Sequence, residues 1–214
     1  MIVYVETNFL LEIAFQQESY ESCEEILRLA SSGSISLVVP SCSIAEAYLG
    51  WHGVTSRRHK FQIELQNHLR EMSRSAPYRG LLDQYRNVLD ALVEGREESR
   101  KHLLAPIARV EADGATIPLT NAILLLVDFY EDAYSLSPQD ALVLASVKSH
   151  AERCGGPKCF VTKDKDLNKP AIREELGVEF ELLMNLTPPL LTSRMRCGQE
   201  LNHDHRNRST EPTS

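Results

Sequence analysis

The sequence predicts an α/β fold built on a parallel sheet, and two observations lead there. Short apolar runs rich in β-branched residues alternate along the chain with segments of helical periodicity. One of those runs, ISLVVP at residues 35–40, is continuously apolar, as expected of a parallel strand covered on both faces. Composition agrees: 214 residues with 43% hydrophobic and 25% charged side chains suffice for a proper core and give no support to wholesale disorder.

Taken in order, IVYV at residues 2–5 is the first strand, closing at a polar Glu6-Thr7-Asn8 step, and FLLEIAF follows as a helix. A second helix is expected over 20–30, with Ser19 as its cap and Gly33 just beyond its end. Pro40 closes the second strand, and a new helix starts over 41–47 with Ser41 or Ser43 as cap. From 55 to 104 the chain is highly charged but keeps apolar residues at helical spacing, among them Phe61, Leu65, Leu69, Tyr85, Leu89 and Leu92. Breaks at Ala76-Pro77 and Gly80 make this an amphipathic helical hairpin, a helical insertion over about 55–110. The helical pattern resumes over 124–130, and Ser137-Pro138-Gln139-Asp140 is a strong helix start, with serine at the cap and proline in the first turn. KCFVT at 158–162 is the third strand, KPAIREELG a short helix closed by Gly177, and VEFEL the fourth strand. A single domain over 1–187 results, and the aperiodic tail 188–214 is expected to be disordered.

Several classes are excluded. No stretch approaches the roughly 18 apolar residues of a membrane-spanning helix, and the N-terminus has no basic n-region or cleavage site, so no membrane role and a cytoplasmic location are expected. Cys23, Cys42, Cys154, Cys159 and Cys197 form an odd, scattered set that suits a reducing compartment. His150, Cys154 and Cys159 match no standard zinc knuckle. The net charge of -7 argues against a simple basic nucleic-acid coat, yet it is unevenly spread: residues 1–56 carry net -6, residues 57–101 net +3 and residues 102–150 net -4. An acidic frame surrounds a basic middle.

Ligands of open parallel sheets bind at the carboxyl ends of the strands, and the polar residues expected there are mostly acids. Glu6 follows the first strand, Glu46 lies on the helix after the second, Asp140 opens the helix that feeds the third, and Asp164 and Asp166 follow that third strand. Carboxylates converging from distant parts of a chain raise one another's pKa unless a cation is present. Hard oxygen ligands suit Mg²⁺ or Mn²⁺. Each acid also has a plainer reading: Asp140 as a favourable helix-start charge, Glu46 as a solvated face residue, Asp164 and Asp166 as turn formers, Glu6 as a neighbour of a helix cap.

The order of these motifs carries a resemblance. VYVETNFLL, VVPSCSIAEAY, SPQDALVLASV and FVTKDKDL resemble, in sequence, the motifs of PIN domain nucleases, the family that includes toxin ribonucleases of toxin-antitoxin pairs. It covers residues 1–52 and 115–183 and implies a PIN-like α/β/α sandwich with a central, mostly parallel sheet and a helical insertion. It places Glu6, Glu46, Asp140 and Asp164 at the family's metal-binding acids, with Asp166 beside them and Asn8 and Thr162 in support. Glu6 stands where the family usually has aspartate, and the segment from 55 to 110 is longer than compact members carry. The implied chemistry is metal-dependent phosphodiester hydrolysis on Mg²⁺ or Mn²⁺, with RNA as substrate, and the expected partners are an antitoxin protein and a second copy in a homodimer.

Arg57, Arg58 and Lys60 in the basic middle, and Lys163 beside the last acids, are the candidate nucleic-acid contacts. The alternative for the arm is a solvated hairpin whose arginines pair with Glu64, Glu71, Asp83 and Asp90. The alternative for the whole chain is a degenerate PIN-like domain kept for binding or assembly, favoured by Glu6. A receiver-like or phosphatase-like protein would need an aspartate closing a strand, a place that Glu6 fills poorly.

Overall fold

The structure is a computed structural model and describes residues 1–177 and 180–183. Its elements are β1 (Ile2–Val5), α1 (Thr7–Phe15), α2 (Tyr20–Ser31), β2 (Ser36–Pro40), α3 (Ser41–Met72), a 3₁₀ turn (Ala76–Tyr78), α4 (Leu81–Gln84), α5 (Arg86–Asp113), β3 (Ala115–Ile117), α6 (Asn121–Tyr134), α7 (Pro138–Ala151), β4 (Lys158–Val161), α8 (Pro170–Leu176) and β5 (Phe180–Leu183). The five strands form one sheet in the order β3-β2-β1-β4-β5, and every neighbouring pair is parallel.

Alternation along the strands builds two cores, as the pleat requires. Val3, Val5, Leu37, Val39, Cys159 and Val161 face one side, under α1, α2 and the inner ends of α3 and α5. Tyr4, Val38 and Phe160 face the other, under α6, α7 and α8. The molecule is therefore an α/β/α sandwich. Its central strand, β1, is where the chain reverses direction across the sheet: from β1 it steps to β2 and β3 on one side, then crosses back to β4 on the other. Such a switch point opens a crevice at the strands' carboxyl ends.

The structure departs from the sequence expectations in two places. The sheet, parallel as expected, has a fifth strand, β3. The helix that starts at Ser41 does not end before the hairpin; α3 runs unbroken for 32 residues, about 48 Å at 1.5 Å per residue. The core helix and the first limb of the insertion are one rod, with Ala47, Trp51 and Thr55 buried one turn apart and Leu69 buried near its far end. The second limb, α5, returns for 28 residues and carries Pro106 inside it. Cys159 lies in the core under α1, while His150 bonds the Tyr4 hydroxyl on the opposite face of the sheet. The expected tail 188–214, with Cys197, lies outside the described residues.

Among the described residues no helix is long and apolar enough to cross a membrane.

Candidate functional site

Each candidate acid is delivered by the end of a strand or the first turns of a helix. Glu6 leaves β1 in extended geometry and caps α1, its Oε2 accepting from the Asn8 N–H at 2.7 Å. Its Oε1 accepts from the buried Thr162 hydroxyl at 3.3 Å, which joins the ends of β1 and β4. Thr162 also accepts from the Asp164 N–H at 2.9 Å, and Asp164 Oδ1 accepts from the Asp166 N–H at 2.7 Å. These short-range bonds fold the chain after β4 into a tight turn that presents both aspartates. Asp140 sits in the first turn of α7, where Ser137 Oγ accepts from its N–H at 3.2 Å and donates to its Oδ2 at 2.7 Å. Glu46 lies in the second turn of α3 and accepts from the Thr7 hydroxyl at 2.5 Å.

These residues meet at one end of the sheet. Asp140, Asp164 and Asp166 each offer a carboxylate oxygen, all within 4.8 Å of one another. Glu6, Glu46, Asp140 and Asp164 line a single cleft of about 390 Å³, together with Thr7, Asn8, Gln139 and the apolar Leu11 and Leu49. Asp166 is not part of that lining; it is exposed, and Lys169 pairs with its Oδ1 at 2.9 Å.

The electrostatics follow from burial and like charge. Glu6 is 4% exposed, and burial pushes its carboxyl from the ordinary 4.5 up to about 7, against the lowering effect of its hydrogen bonds. Burial also raises Asp140, and the charges of Asp164, Glu46 and Asp166 push the same way while Ser137 opposes them.

The chain matches the PIN domain family model over residues 3–167. It belongs to the PIN domain family. No curated protein matches it. Among solved structures, the crystal structure of VapBC2 from Rickettsia felis bound to a DNA fragment from its promoter is similar at 12% identity, covering 85% of this chain and 97% of that one with a TM-score of 0.39.

Within this PIN domain the basic candidates lie apart from the acids. Lys163 donates to Glu12 Oε1 at 2.6 Å, and Glu12 also accepts from the Ser19 N–H, so this lysine ties β4 to the end of α1 and does not line the cleft. Arg58 stacks over the Phe15 ring at 5.1 Å. Arg57 and Lys60 are exposed on α3. Of the acids expected to pair along the arm, Asp83 does so, with Arg86 at 2.9 Å.

Sequence reasoning missed Thr7 as a partner of Glu46 and Glu12 as the partner of Lys163. Thr7 sits between two residues that were singled out, but nothing in one sequence links position 7 to position 46. The plainer readings of Glu6 and Asp140 as cap and helix-start residues also hold: the same bonds that stabilise those helix ends orient the carboxylates.

Proposed function

We propose that this PIN domain is a metal-dependent nuclease that hydrolyses RNA phosphodiester bonds internally, an endoribonuclease of the toxin type. The observation that carries the reading is the convergence of Asp140, Asp164 and Asp166 beside Glu6 and Glu46 at the carboxyl end of the sheet. The donor set fits a hard divalent cation. All three groups are carboxylates, and two oxygens on opposite sides of one cation at about 2.0 to 2.6 Å are roughly 4 to 5 Å apart, comparable with the spacing here.

Asp140 and Asp164 would hold Mg²⁺ or Mn²⁺, with Asp166 and Glu46 completing the charge around it. When bound, the cation supplies Lewis acidity that polarises a phosphoryl oxygen and activates water for attack. Thr7 keeps Glu46 aimed into the cleft, and Ser137 does the same for Asp140. Glu6, whose carboxyl burial pushes up in the metal-free protein, would stand beside the reacting phosphate. Leu11 and Leu49 give the cleft an apolar wall against which a base can lie.

The test is a titration of Mg²⁺ and Mn²⁺ against labelled single- and double-stranded RNA and DNA, with the wild type and Asp140→Asn side by side. Metal-dependent cleavage of RNA by the wild type alone is expected; a folded wild type with no turnover on any substrate overturns the reading. The degenerate-domain alternative rests on Glu6, whose two oxygens are both engaged by the chain. Metal binding without turnover is the outcome that selects it. The proposal extends to a homodimer and a protein antitoxin. Light scattering of the chain, alone and with the product of a neighbouring small open reading frame, tests both.

A further inference from the structure

The acidic cleft has a problem that its own residues do not solve: a polyanionic strand must be held against a cluster of carboxylates. Lys165, between the two aspartates, is exposed beside Asp166 and does not line the cleft, and three further cations are already committed. Lys163 pairs with Glu12, Lys169 with Asp166, and Arg58 lies on Phe15. Arg57 differs. It is exposed, and among the described residues no carboxylate pairs with it.

The direction of its side chain is what matters. A Cβ added at Gly53 would meet one group within 4 Å, Arg57 Nη1 at 3.6 Å. The guanidinium is thus folded back one turn along α3, toward the cleft, over backbone that a larger side chain would cover. Residues 46, 50, 53, 57 and 60 fall on one face of a helix by their spacing. Glu46, Leu49 and Gly50 line the cleft itself. Gly53 is seven residues from Glu46, about 10 Å along the axis. That distance is about three stacked nucleotides of a strand that rises 3.4 Å per residue, fewer if the strand is extended.

We propose that Arg57 is a backbone clamp for single-stranded nucleic acid, gripping a phosphate two or three nucleotides from the one in the cleft, with the strand leaving the cleft along α3 past Gly53. The inference rests on the nuclease reading for the identity of the strand. The planar guanidinium can donate two parallel hydrogen bonds to one phosphate, and the absence of a side chain at 53 leaves the helix surface low beside it, whereas Gly50 packs on Leu11. Lys60, on the same face beyond Arg57, continues the path.

The experiment is equilibrium binding of fluorescein-labelled 12-nucleotide single-stranded RNA and DNA to the metal-free protein, read by anisotropy over a salt series, with hydrolysis of bis-(p-nitrophenyl) phosphate on Mn²⁺ as a second readout. Arg57→Ala should weaken both oligonucleotides about tenfold at low salt and flatten the log-log salt slope by about 0.7. Hydrolysis of the small diester, which has no second phosphate, should stay unchanged. Gly53→Glu separates this from a structural role, because a glutamate four residues before Arg57 favours the helix and pairs with the guanidinium. It should raise thermal stability and still lower affinity, whereas Gly53→Gln should raise stability with a smaller loss. Wild-type affinity and slope in both Arg57→Ala and Gly53→Glu overturn the clamp and leave the nuclease reading standing. If the wild type binds neither oligonucleotide, the clamp fails, and the nuclease reading is decided separately by the Mn²⁺-dependent hydrolysis.

Discussion

Single carboxylates in the cleft carry opposite consequences for stability and for chemistry. Glu6 has a folded pKa of about 7 against an ordinary 4.5, so the folded state binds the proton more tightly than the unfolded chain. Its stabilising effect is greatest below the unfolded value and is lost as pH rises through the folded one. Without metal, the protein should therefore lose up to about 3 kcal/mol between pH 4.5 and pH 8 through this residue. Glu6→Gln should remove most of that slope in urea denaturation at a series of pH values, and an unchanged slope assigns it to other groups. Asp140→Asn keeps a side chain that can bond Ser137 but removes a charge opposed by burial and three neighbouring acids. We expect a small gain in metal-free thermal stability together with loss of metal-dependent cleavage. A variant that cleaves RNA at the wild-type rate would leave Asp140 with its helix-start role alone.

At the scale of elements, two contacts fix the arm to the sandwich. Trp51 on α3 donates its indole N–H to the hydroxyl of Ser99 on α5 at 2.9 Å, both side chains buried. Ser99→Ala leaves that donor without its acceptor, and urea unfolding should register a loss of about 1 to 3 kcal/mol. At the base of α5, a Cβ on Gly114 would lie 2.8 Å from the Leu37 carbonyl oxygen and 3.0 Å from that of Val110. Both are backbone, so Gly114→Ala should cost about 1 to 3 kcal/mol by the same measurement. The elements that the sequence displayed plainly are those with long or uninterrupted patterns: β1, β2, β4 and the helices with clear caps. β3 escaped because Ala115–Ile117 is three residues long with its first two exposed, and only its place beside β2 makes it a strand. The continuity of α3 escaped because the pattern shifts at about residue 55 from apolar to highly charged, although burial of Trp51 and Thr55 against α5 carries the helix through. For the site, residue types were legible from their position after strands. The pairings that aim them, Thr7 with Glu46 and Lys163 with Glu12, were not, because they join positions 39 and 151 residues apart.

For the whole molecule, the proposed cation at the acid cluster would be coupled to folding. A cation held by the folded protein and not by the unfolded chain stabilises by about 2.7 kcal/mol at a concentration of 100 Kd. Differential scanning fluorimetry with rising Mg²⁺ or Mn²⁺ should show an increase in Tm for the wild type and little or none for Asp140→Asn. Equal shifts in the two proteins would move the cation away from this cleft. The order of the sheet has a consequence for how the protein comes into being. β1 is made first, yet one of its two partners, β4, begins 156 positions later, with Ile2 in register with Lys158. Glu6 likewise meets Thr162 and Asp164 only after nearly all of the sandwich has been synthesised. A nascent chain on the ribosome, or a product of premature termination before β4, lacks part of the acid set. Whatever chemistry the cleft performs is thus withheld until β4 and the acidic turn after it have been made.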